Sequence, residues 1–365
     1  MTAVVNMPVR VGLIGCGMVA EEYATTIRIS PTATVIACAD QIPGVAKAFA
    51  DRHGIPFALA PGFLSDPDLV DLVVILTPPD THARLARAAI DAGVPGVYVE
   101  KPLAVTAVEA AALVRAAAEK GTLLGAAPDT VLGSPSQTAL LAITSGVIGQ
   151  PRAATASYLS AGPERWHPNP ERFHAAGIGP LVDMGTYYLS TLSFLLGSIT
   201  AVHGAAATFR PTRTIRCGPR AGQSFTAHAP THVTALLESD TGVPITFTAS
   251  FDAPSTRSSH LEIHGSDATI VLPDPNFHTG VVLIRRRAGQ AWSPLPPAKP
   301  AVATVERGMG VLELAAALAG DSRERICTGE SGLHVANIIE SIMSVAQVAS
   351  PTPIASLAGA VREAR

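Results

Sequence analysis

Residues 9–20 read Val-Arg-Val-Gly-Leu-Ile-Gly-Cys-Gly-Met-Val-Ala, an apolar strand pattern that runs directly into Gly15-x-Gly17-x-x-Ala20. The first glycine permits a tight turn from strand to helix, the second lets a phosphate approach the backbone, and the alanine lets the helix pack close to the strand. Backbone N–H groups at the start of such a helix favour anions. The alternative is a glycine-rich turn with a structural role alone. The stretch predicts a dinucleotide site, with these candidate contacts: Gly15, Gly17, Met18 and Val19.

A second apolar strand pattern ends on a carboxylate. It covers residues 34–39 and is followed by Asp40, about one strand-helix unit beyond the glycines. An acidic residue at this place accepts hydrogen bonds from the adenosine ribose, although a surface aspartate that opens a turn gives the same pattern. Residues 41–43 contain no arginine for a 2′-phosphate, so the sequence favours NAD over NADP unless Lys47 or Arg52 folds back.

Length and composition restrict the class of protein. The 365 residues exceed the usual size of a single core and predict two domains. No apolar run approaches the length that spans a bilayer and no signal-peptide pattern precedes the first strand, so we expect a cytoplasmic protein. A net charge of −3 with both signs interspersed argues against a nucleic-acid or membrane partner. The four cysteines lack metal-ligand or disulfide spacing, and no other cluster has metal spacing, so we expect reduced thiols and no metal.

The first third of the chain alternates between strand and helix patterns. Short links join them, which is typical of a doubly wound parallel sheet. We therefore predict a Rossmann domain over residues 1–127. The supporting patterns are strands at 69–76, 94–99 and 122–127 and helices at 82–92 and 107–120, the last with a capping box at Thr106 and Glu109.

The rhythm changes after residue 127, where β-rich stretches follow one another without intervening helices. Their alternation predicts an open, mostly antiparallel sheet with one covered face. We assign residues 128–365 to a second, α+β domain. Its predicted strands are 152–160, 200–209, 231–239, 244–251, 260–264 and 268–272, its helices are 136–146, 181–196, 309–319 and 331–348, and its long loops are 210–230 and 287–305.

Ligands of doubly wound sheets bind beyond the carboxyl ends of the strands. Two further motifs lie at such ends, Thr77-Pro78-Pro79-x-x-His82 and Glu100-Lys101-Pro102. Together with Gly179-Pro-Leu-Val-Asp183-Met-Gly185-Thr-Tyr187, they make the whole chain resemble the glucose-fructose oxidoreductase and inositol dehydrogenase (Gfo/Idh/MocA) family. The resemblance implies NAD(P)-dependent oxidation or reduction of a sugar or cyclitol carbon, and a homodimer or homotetramer. It adds these cofactor-binding candidates: Thr77, Pro78, His82, Glu100 and Lys101.

Hydride transfer from an alcohol needs a base near the hydroxyl and a cation that stabilises alkoxide character. The family resemblance assigns the cation to Lys101, beside Asp183 and Tyr187 as further catalytic candidates. The family commonly has histidine at position 187, and a tyrosine there acts as a base near neutrality only if a cation such as Lys101 lowers its pKa. The alternatives are a tyrosine packed under the cleft and an aspartate that interacts with a helix dipole. His82 has a structural alternative as a helix cap.

The remaining candidates would contact the substrate. Trp166 and His167 offer an aromatic surface for a sugar, or form an ordered turn before two prolines. Asp129 stands where many relatives place a polar substrate contact. Two other functions use the same residues: a redox-assisted lyase or glycosidase with catalytic NAD, and a non-catalytic nucleotide-binding sensor.

Overall fold

The N-terminal domain is built on a parallel sheet. The computed structural model describes residues 7–60, 68–298 and 307–348. The strands of this sheet are β1 (Val9–Ile14), β2 (Ala33–Ala39), β3 (Phe57–Leu59), β4 (Leu72–Ile75), β5 (Gly96–Val99) and β6 (Leu123–Ala126). Their order is β3-β2-β1-β4-β5-β6, and all neighbours are parallel. This is the strand order of dinucleotide-binding folds, so the predicted Rossmann sheet is confirmed.

Helices cover both faces of this sheet. They are α1 (Met18–Arg28), α2 (Pro43–His53), α3 (Pro79–Asp91) and α4 (Ala107–Lys120). One apolar core joins α1 and α2 to the sheet, and a second core joins α3 and α4 to the other face. The predicted capping box of α4 is present, since the Glu109 N–H donates to the Thr106 hydroxyl and the Thr106 N–H donates to the Glu109 carboxylate, each at 3.2 Å.

The second sheet is open and mixed. After α5 (Ser134–Thr144), the chain forms β7 (Pro151–Leu159), α6 (Thr186–Leu196), β8 (Ile199–Ala207), β9 (Thr212–Thr214), β10 (Ser224–Thr226), β11 (His232–Ser239), β12 (Pro244–Ser250), β13 (Leu261–Gly265), β14 (Thr269–Leu272), β15 (Leu283–Arg285), β16 (Ser293–Pro294), α7 (Met309–Leu318) and α8 (Gly329–Val348). The sheet order is β16-β15-β14-β13-β7-β12-β11-β8. Only the β7 and β12 pair is parallel among its described neighbours, which confirms the mostly antiparallel sheet.

Several elements differ from the sequence prediction. The short edge strand β3 was not predicted, because its three residues carry too little periodicity. The predicted loop 210–230 contains the hairpin of β9 and β10, and β16 lies within the predicted loop 287–305, of which residues 299–305 lie outside the described part. The predicted helix 181–196 begins with a π-helical turn, Leu181–Gly185.

The C-terminal helices complete the first domain as well as the second. Val311, Leu314 and Ala315 of α7 belong to the core that holds α1 and α2, and Leu333 and Ala336 of α8 pack against the core of α3 and α4. The sequence prediction placed all of residues 128–365 in the second domain. The structure shows that its last helices pack across the domain boundary.

One face of the second sheet is covered and the other is open. Side chains of α5, α6 and α8 pack on the covered face. On β11, buried and exposed residues alternate, and Leu236 on the open face is 56% exposed. The predicted homo-oligomer would use such a face, and it stays a prediction. No helix in the described ranges is both long and apolar enough to cross a membrane.

Candidate functional site

The glycine turn and Asp40 lie side by side at the ends of β1 and β2. The Asp40 carboxylate accepts hydrogen bonds from the Cys16 N–H at 3.0 Å and from the Ile42 N–H at 2.9 Å. Gly17 caps the N-terminus of α1, and the next residue, Met18, is 78% exposed. The structure therefore brings the predicted ribose-binding carboxylate to the predicted phosphate-binding turn.

The two glycines of this turn have different physical roles. Gly15 has φ +92°, and a Cβ there would lie 2.8 Å from the Leu76 carbonyl carbon and oxygen. Gly17 has an ordinary φ of −80°, and its Cβ would have no atom within 4 Å. The first glycine is required by the fold, whereas the space above the second is open to a ligand.

We expect Gly15→Ala and Gly17→Ala to separate folding from cofactor binding. Gly15→Ala lowers the free energy of unfolding by about 1–3 kcal/mol, because the backbone is strained for any L side chain. Gly17→Ala leaves the melting temperature unchanged and weakens NADH binding, because its methyl group occupies the space that a pyrophosphate needs. Thermal melts and NADH titrations measure both. Unchanged NADH affinity in Gly17→Ala would contradict this assignment.

His82 lies between two turns at the strand ends of the first sheet. Its side chain is fully buried, with Nδ1 2.7 Å from the Pro102 carbonyl oxygen and Nε2 2.7 Å from the Thr77 carbonyl oxygen. The ring thus links the turn after β4 to the turn after β5. These contacts give His82 a structural role, and its predicted contact with a cofactor stays a prediction, as do those of Thr77 and Pro78.

Glu100 holds the turn that carries Lys101. Its carboxylate accepts the Lys101 backbone N–H at 2.6 Å and the Tyr23 hydroxyl at 3.2 Å. These contacts show that Glu100 supports the turn, and its predicted contact with a cofactor stays a prediction. Sequence reasoning missed Tyr23, which lies on the buried face of α1 and has no local signal of a site.

The Lys101 ammonium crosses the cleft to the second domain. Nζ donates to the backbone oxygen of Asp183 at 2.6 Å and to its carboxylate at 3.0 Å. Burial alone would lower the pKa of Lys101, but Asp183, Tyr187 and Glu100 raise it above its ordinary value. Lys101 is therefore a fixed cation with two of its three N–H donors used, and the third remains for a substrate oxygen.

Tyr187 lies beside this cation. Lys101 Nζ is 5.0 Å from the centre of the Tyr187 ring, within the range of a cation–π contact. The expected lowering of the phenol pKa does not occur: burial raises the pKa of Tyr187 to about 12, against the opposing effects of Lys101 and Arg307. The physical reason is that desolvation of the phenolate costs more than the two cations return.

Arg307 is a site residue that sequence reasoning missed. Its guanidinium carbon is 5.2 Å from the Tyr187 ring centre, and Nη2 donates to Asn276 Oδ1 at 2.9 Å. In the sequence it is 120 positions from Tyr187 and follows a Pro- and Ala-rich stretch, so no motif marks it. Only the packing of α7 against the first domain brings it to the cleft.

Asp129 is buried beside the start of α7. It is 1% exposed, and its carboxylate accepts the N–H groups of Gly308 at 2.7 Å and Gly310 at 3.0 Å, with His278 Nε2 at 3.1 Å. Burial opposes ionisation, yet His278 and the two backbone donors lower its pKa. These contacts hold the start of α7 next to Arg307, and the predicted role of Asp129 in substrate binding stays a prediction.

Trp166 and His167 form an aromatic surface as predicted. Trp166 is 61% exposed and packs on His167 and Phe173, with ring centres 5.4 and 5.6 Å away. The pKa of His167 is lowered by burial and by Arg172, and the charge of Asp183 also reaches this ring. Their role in substrate binding stays a prediction.

The hydroxyl of Tyr188 marks a further polar group near the cleft. The ring is fully buried. Its hydroxyl donates to Asp274 Oδ1 at 3.1 Å and lies 2.8 Å from His260 Nδ1. Neither partner was predicted, because each follows or precedes a strand with no motif around it. Within the described residues, no group of His, Cys, Asp and Glu is arranged to hold a metal.

Comparison with protein families gives two matches on this chain. Residues 9–127 match the model described as an oxidoreductase family with an NAD-binding Rossmann fold, and residues 136–271 match the GFO/IDH/MocA C-terminal domain. The two models together cover the first sheet, the π-helical turn that carries Asp183 and most of the second sheet, whose strands β15 and β16 lie beyond the second match.

Individual relatives agree with these matches. The chain is 31% identical to dTDP-3,4-didehydro-2,6-dideoxy-alpha-D-glucose 3-reductase of Actinomadura kijaniata over 77% of this chain and 80% of the relative. It is 26% identical to trans-1,2-dihydrobenzene-1,2-diol dehydrogenase of Bos taurus, over 84% of this chain and 85% of the relative. The fold resembles that of levoglucosan dehydrogenase in complex with NADH and L-sorbose, with a TM-score of 0.78 at 22% identity over 93% of this chain and 97% of that one.

Proposed function

Because this chain belongs to the Gfo/Idh/MocA family of NAD-binding oxidoreductases, we propose that it transfers hydride between NAD and a hydroxyl-bearing or ketone carbon of a sugar, sugar derivative or cyclitol. The observation that carries the proposal is the fixed Lys101 ammonium beside the Tyr187 phenol. Relatives named as dehydrogenases and reductases of such molecules support the substrate class.

The residues at the strand ends fit a dinucleotide. The open space above Gly17 accommodates a pyrophosphate, and Asp40 lies beside it to accept ribose hydroxyls. A nicotinamide bound in this cleft supplies the hydride acceptor or donor. The backbone at Thr77 and Pro78 and the turn at Lys101 line its inner end.

Charge pairing near Asp40 favours NAD over NADP. Lys47 pairs with Asp51 at 2.9 Å, and Arg52 pairs with Glu21 at 2.5 Å. Both cations that could have bound a 2′-phosphate therefore have carboxylate partners. The Asp40 carboxylate would itself repel that phosphate.

Lys101, Tyr187 and Asp183 have different roles at the reacting oxygen. Lys101 donates its third N–H to this oxygen and stabilises alkoxide character in the transition state. Tyr187 holds a proton at neutral pH, since its pKa is about 12. It donates that proton to a ketone oxygen in reduction, and its phenolate accepts the hydroxyl proton in oxidation. Asp183 positions the ammonium through Nζ.

A substrate screen tests the proposal. We expect absorbance of reduced cofactor to accumulate with at least one member of a panel of D-glucose, 1,5-anhydro-D-glucitol, myo-inositol and UDP-glucose, and faster with NAD than with NADP. Equal use of both cofactors would contradict the NAD assignment. Bond cleavage without net NADH would instead indicate a redox-assisted lyase or glycosidase, and cofactor binding without any turnover would indicate a sensor.

A further inference from the structure

Three polar side chains in the second domain, Tyr188, Asp274 and His260, form one hydrogen-bonded group. Tyr188 is their centre, with its hydroxyl bound to Asp274 Oδ1 at 3.1 Å and to His260 Nδ1 at 2.8 Å. The Tyr188 ring is fully buried, so its hydroxyl is held in one position. Burial and the Asp274 charge raise its pKa, which keeps the hydroxyl protonated.

This group is connected to the catalytic side chains on two sides. The Asn276 N–H donates to Asp274 Oδ1 at 3.0 Å, and Arg307 joins Asn276 to the Tyr187 ring. Tyr158 provides the second connection. Its ring packs edge-on against Tyr188, with centres 6.2 Å apart.

The charge of Asp274 and the charges of the Lys101–Asp183 pair act on the same tyrosine, Tyr158. Burial raises the pKa of Tyr158, and the charges of Asp183, Asp274 and Lys101 all act on it. The Asp274 carboxylate and the Lys101–Asp183 pair therefore lie within electrostatic range of the same phenol.

The outer atoms of the group have unused hydrogen-bonding capacity. Within the described residues, neither Asp274 Oδ2 nor His260 Nε2 has a hydrogen-bond partner, and His260 is exposed. An ionised carboxylate only accepts hydrogen bonds, whereas a neutral imidazole offers one donor and one acceptor. A pair of neighbouring hydroxyl groups matches both, because each hydroxyl both donates and accepts.

We propose that Asp274 and His260, held in place by the Tyr188 hydroxyl, bind two hydroxyl groups of the substrate remote from the reacting carbon, and that the substrate is an uncharged polyol. The inference rests on the proposed function and specifies the substrate of the same site. The carboxylate disfavours a phosphate at this position. The Arg307 guanidinium, which is not part of this group, already donates to Asn276 and lies 3.4 Å from the Glu22 carboxylate.

Kinetics of Tyr188→Phe and Asp274→Asn test this assignment. The first removes one hydroxyl and keeps the ring, and the second keeps the shape and removes the charge. Tyr188→Phe removes the hydroxyl that holds Asp274 and His260, and Asp274→Asn weakens the bond to a substrate hydroxyl. We therefore expect KM to rise about 10-fold for the polyol of the panel that is turned over, with kcat changed less than about threefold. Tyr98→Phe is the matched control, because the buried Tyr98 hydroxyl has no hydrogen-bond partner among the described residues.

Single-deoxy derivatives of that polyol give a readout that a purely structural role would not move. Removal of a bound hydroxyl raises KM in the parent, and the same removal costs nothing further in Asp274→Asn. The inference is overturned if every derivative responds equally to Tyr188→Phe, or if UDP-glucose gives a higher kcat/KM than all free polyols. Either result leaves the proposed oxidoreductase function intact, whereas that function fails if no carbohydrate is turned over by the parent protein.

Discussion

Replacing Lys101 by methionine reduces turnover by about 10²- to 10³-fold, the usual cost of losing one preorganised donor at a developing oxyanion. Methionine retains the length of the side chain and removes the ammonium. The loss appears mainly in kcat, because Lys101 Nζ is fixed by Asp183 and its remaining donor strengthens its bond as negative charge develops. Steady-state kinetics with a substrate from the panel measure this effect.

Two controls separate this result from a loss of fold. Lys120→Met, an exposed lysine in the last turn of α4, leaves turnover unchanged. NADH affinity and the melting temperature report whether Lys101→Met still folds and binds cofactor. Full activity in a folded Lys101→Met variant would remove this lysine from the mechanism.

Replacing Tyr187 by phenylalanine lowers turnover by about 10²- to 10⁴-fold, which is the range for loss of a general acid or base. The ring remains, so its contacts with Lys101 and Arg307 are retained and NADH affinity stays close to that of the parent. Stopped-flow or steady-state assays in both directions measure the change. Unchanged turnover would refute the role of the phenol.

The pH profile gives an independent signature of the same group. Oxidation requires the phenolate, and a pKa of about 12 leaves about one phenol in ten thousand ionised at pH 8. The rate of oxidation therefore rises with pH up to pH 10 without a plateau, whereas reduction uses the protonated phenol and changes little. The charged groups that act on Tyr187 are Lys101, Arg307, Glu100 and Asp183. Lys101 and Arg307 both keep their positive charge in this pH range, because the pKa of each is raised. A plateau near pH 7 would contradict the raised pKa.

The first domain follows from local patterns in the sequence. The strand and glycine turn at residues 9–20 require a particular backbone, as the +92° φ of Gly15 shows, and the Thr106–Glu109 capping box fixes the start of α4. Such features act over a few residues and are therefore visible in the sequence. The short strand β3 was not predicted, because its pairing with β2, and not a pattern in its own three residues, defines it.

Some residues of the candidate site lie in sequence motifs, and others were found only in the structure. Lys101, Asp183 and Tyr187 lie in recognisable motifs, and the structure brings the three together. Arg307, Tyr23 and the Tyr188–Asp274–His260 group have no motif, because each reaches the cleft through contacts between distant segments.

The sequence by itself determined the Rossmann sheet and the open second sheet, because turn geometry and periodicity are local properties of the chain. Lys101 was identified through the family resemblance of the motif that contains it. Only the tertiary structure decided which polar side chains are buried. In the structure, Asp129 and His82 are buried and hydrogen-bonded to the backbone. Burial raises the pKa of Tyr187, where a neighbouring cation was expected to lower it. Burial and charge depend on every segment that packs around a group, and no single stretch of sequence contains that information.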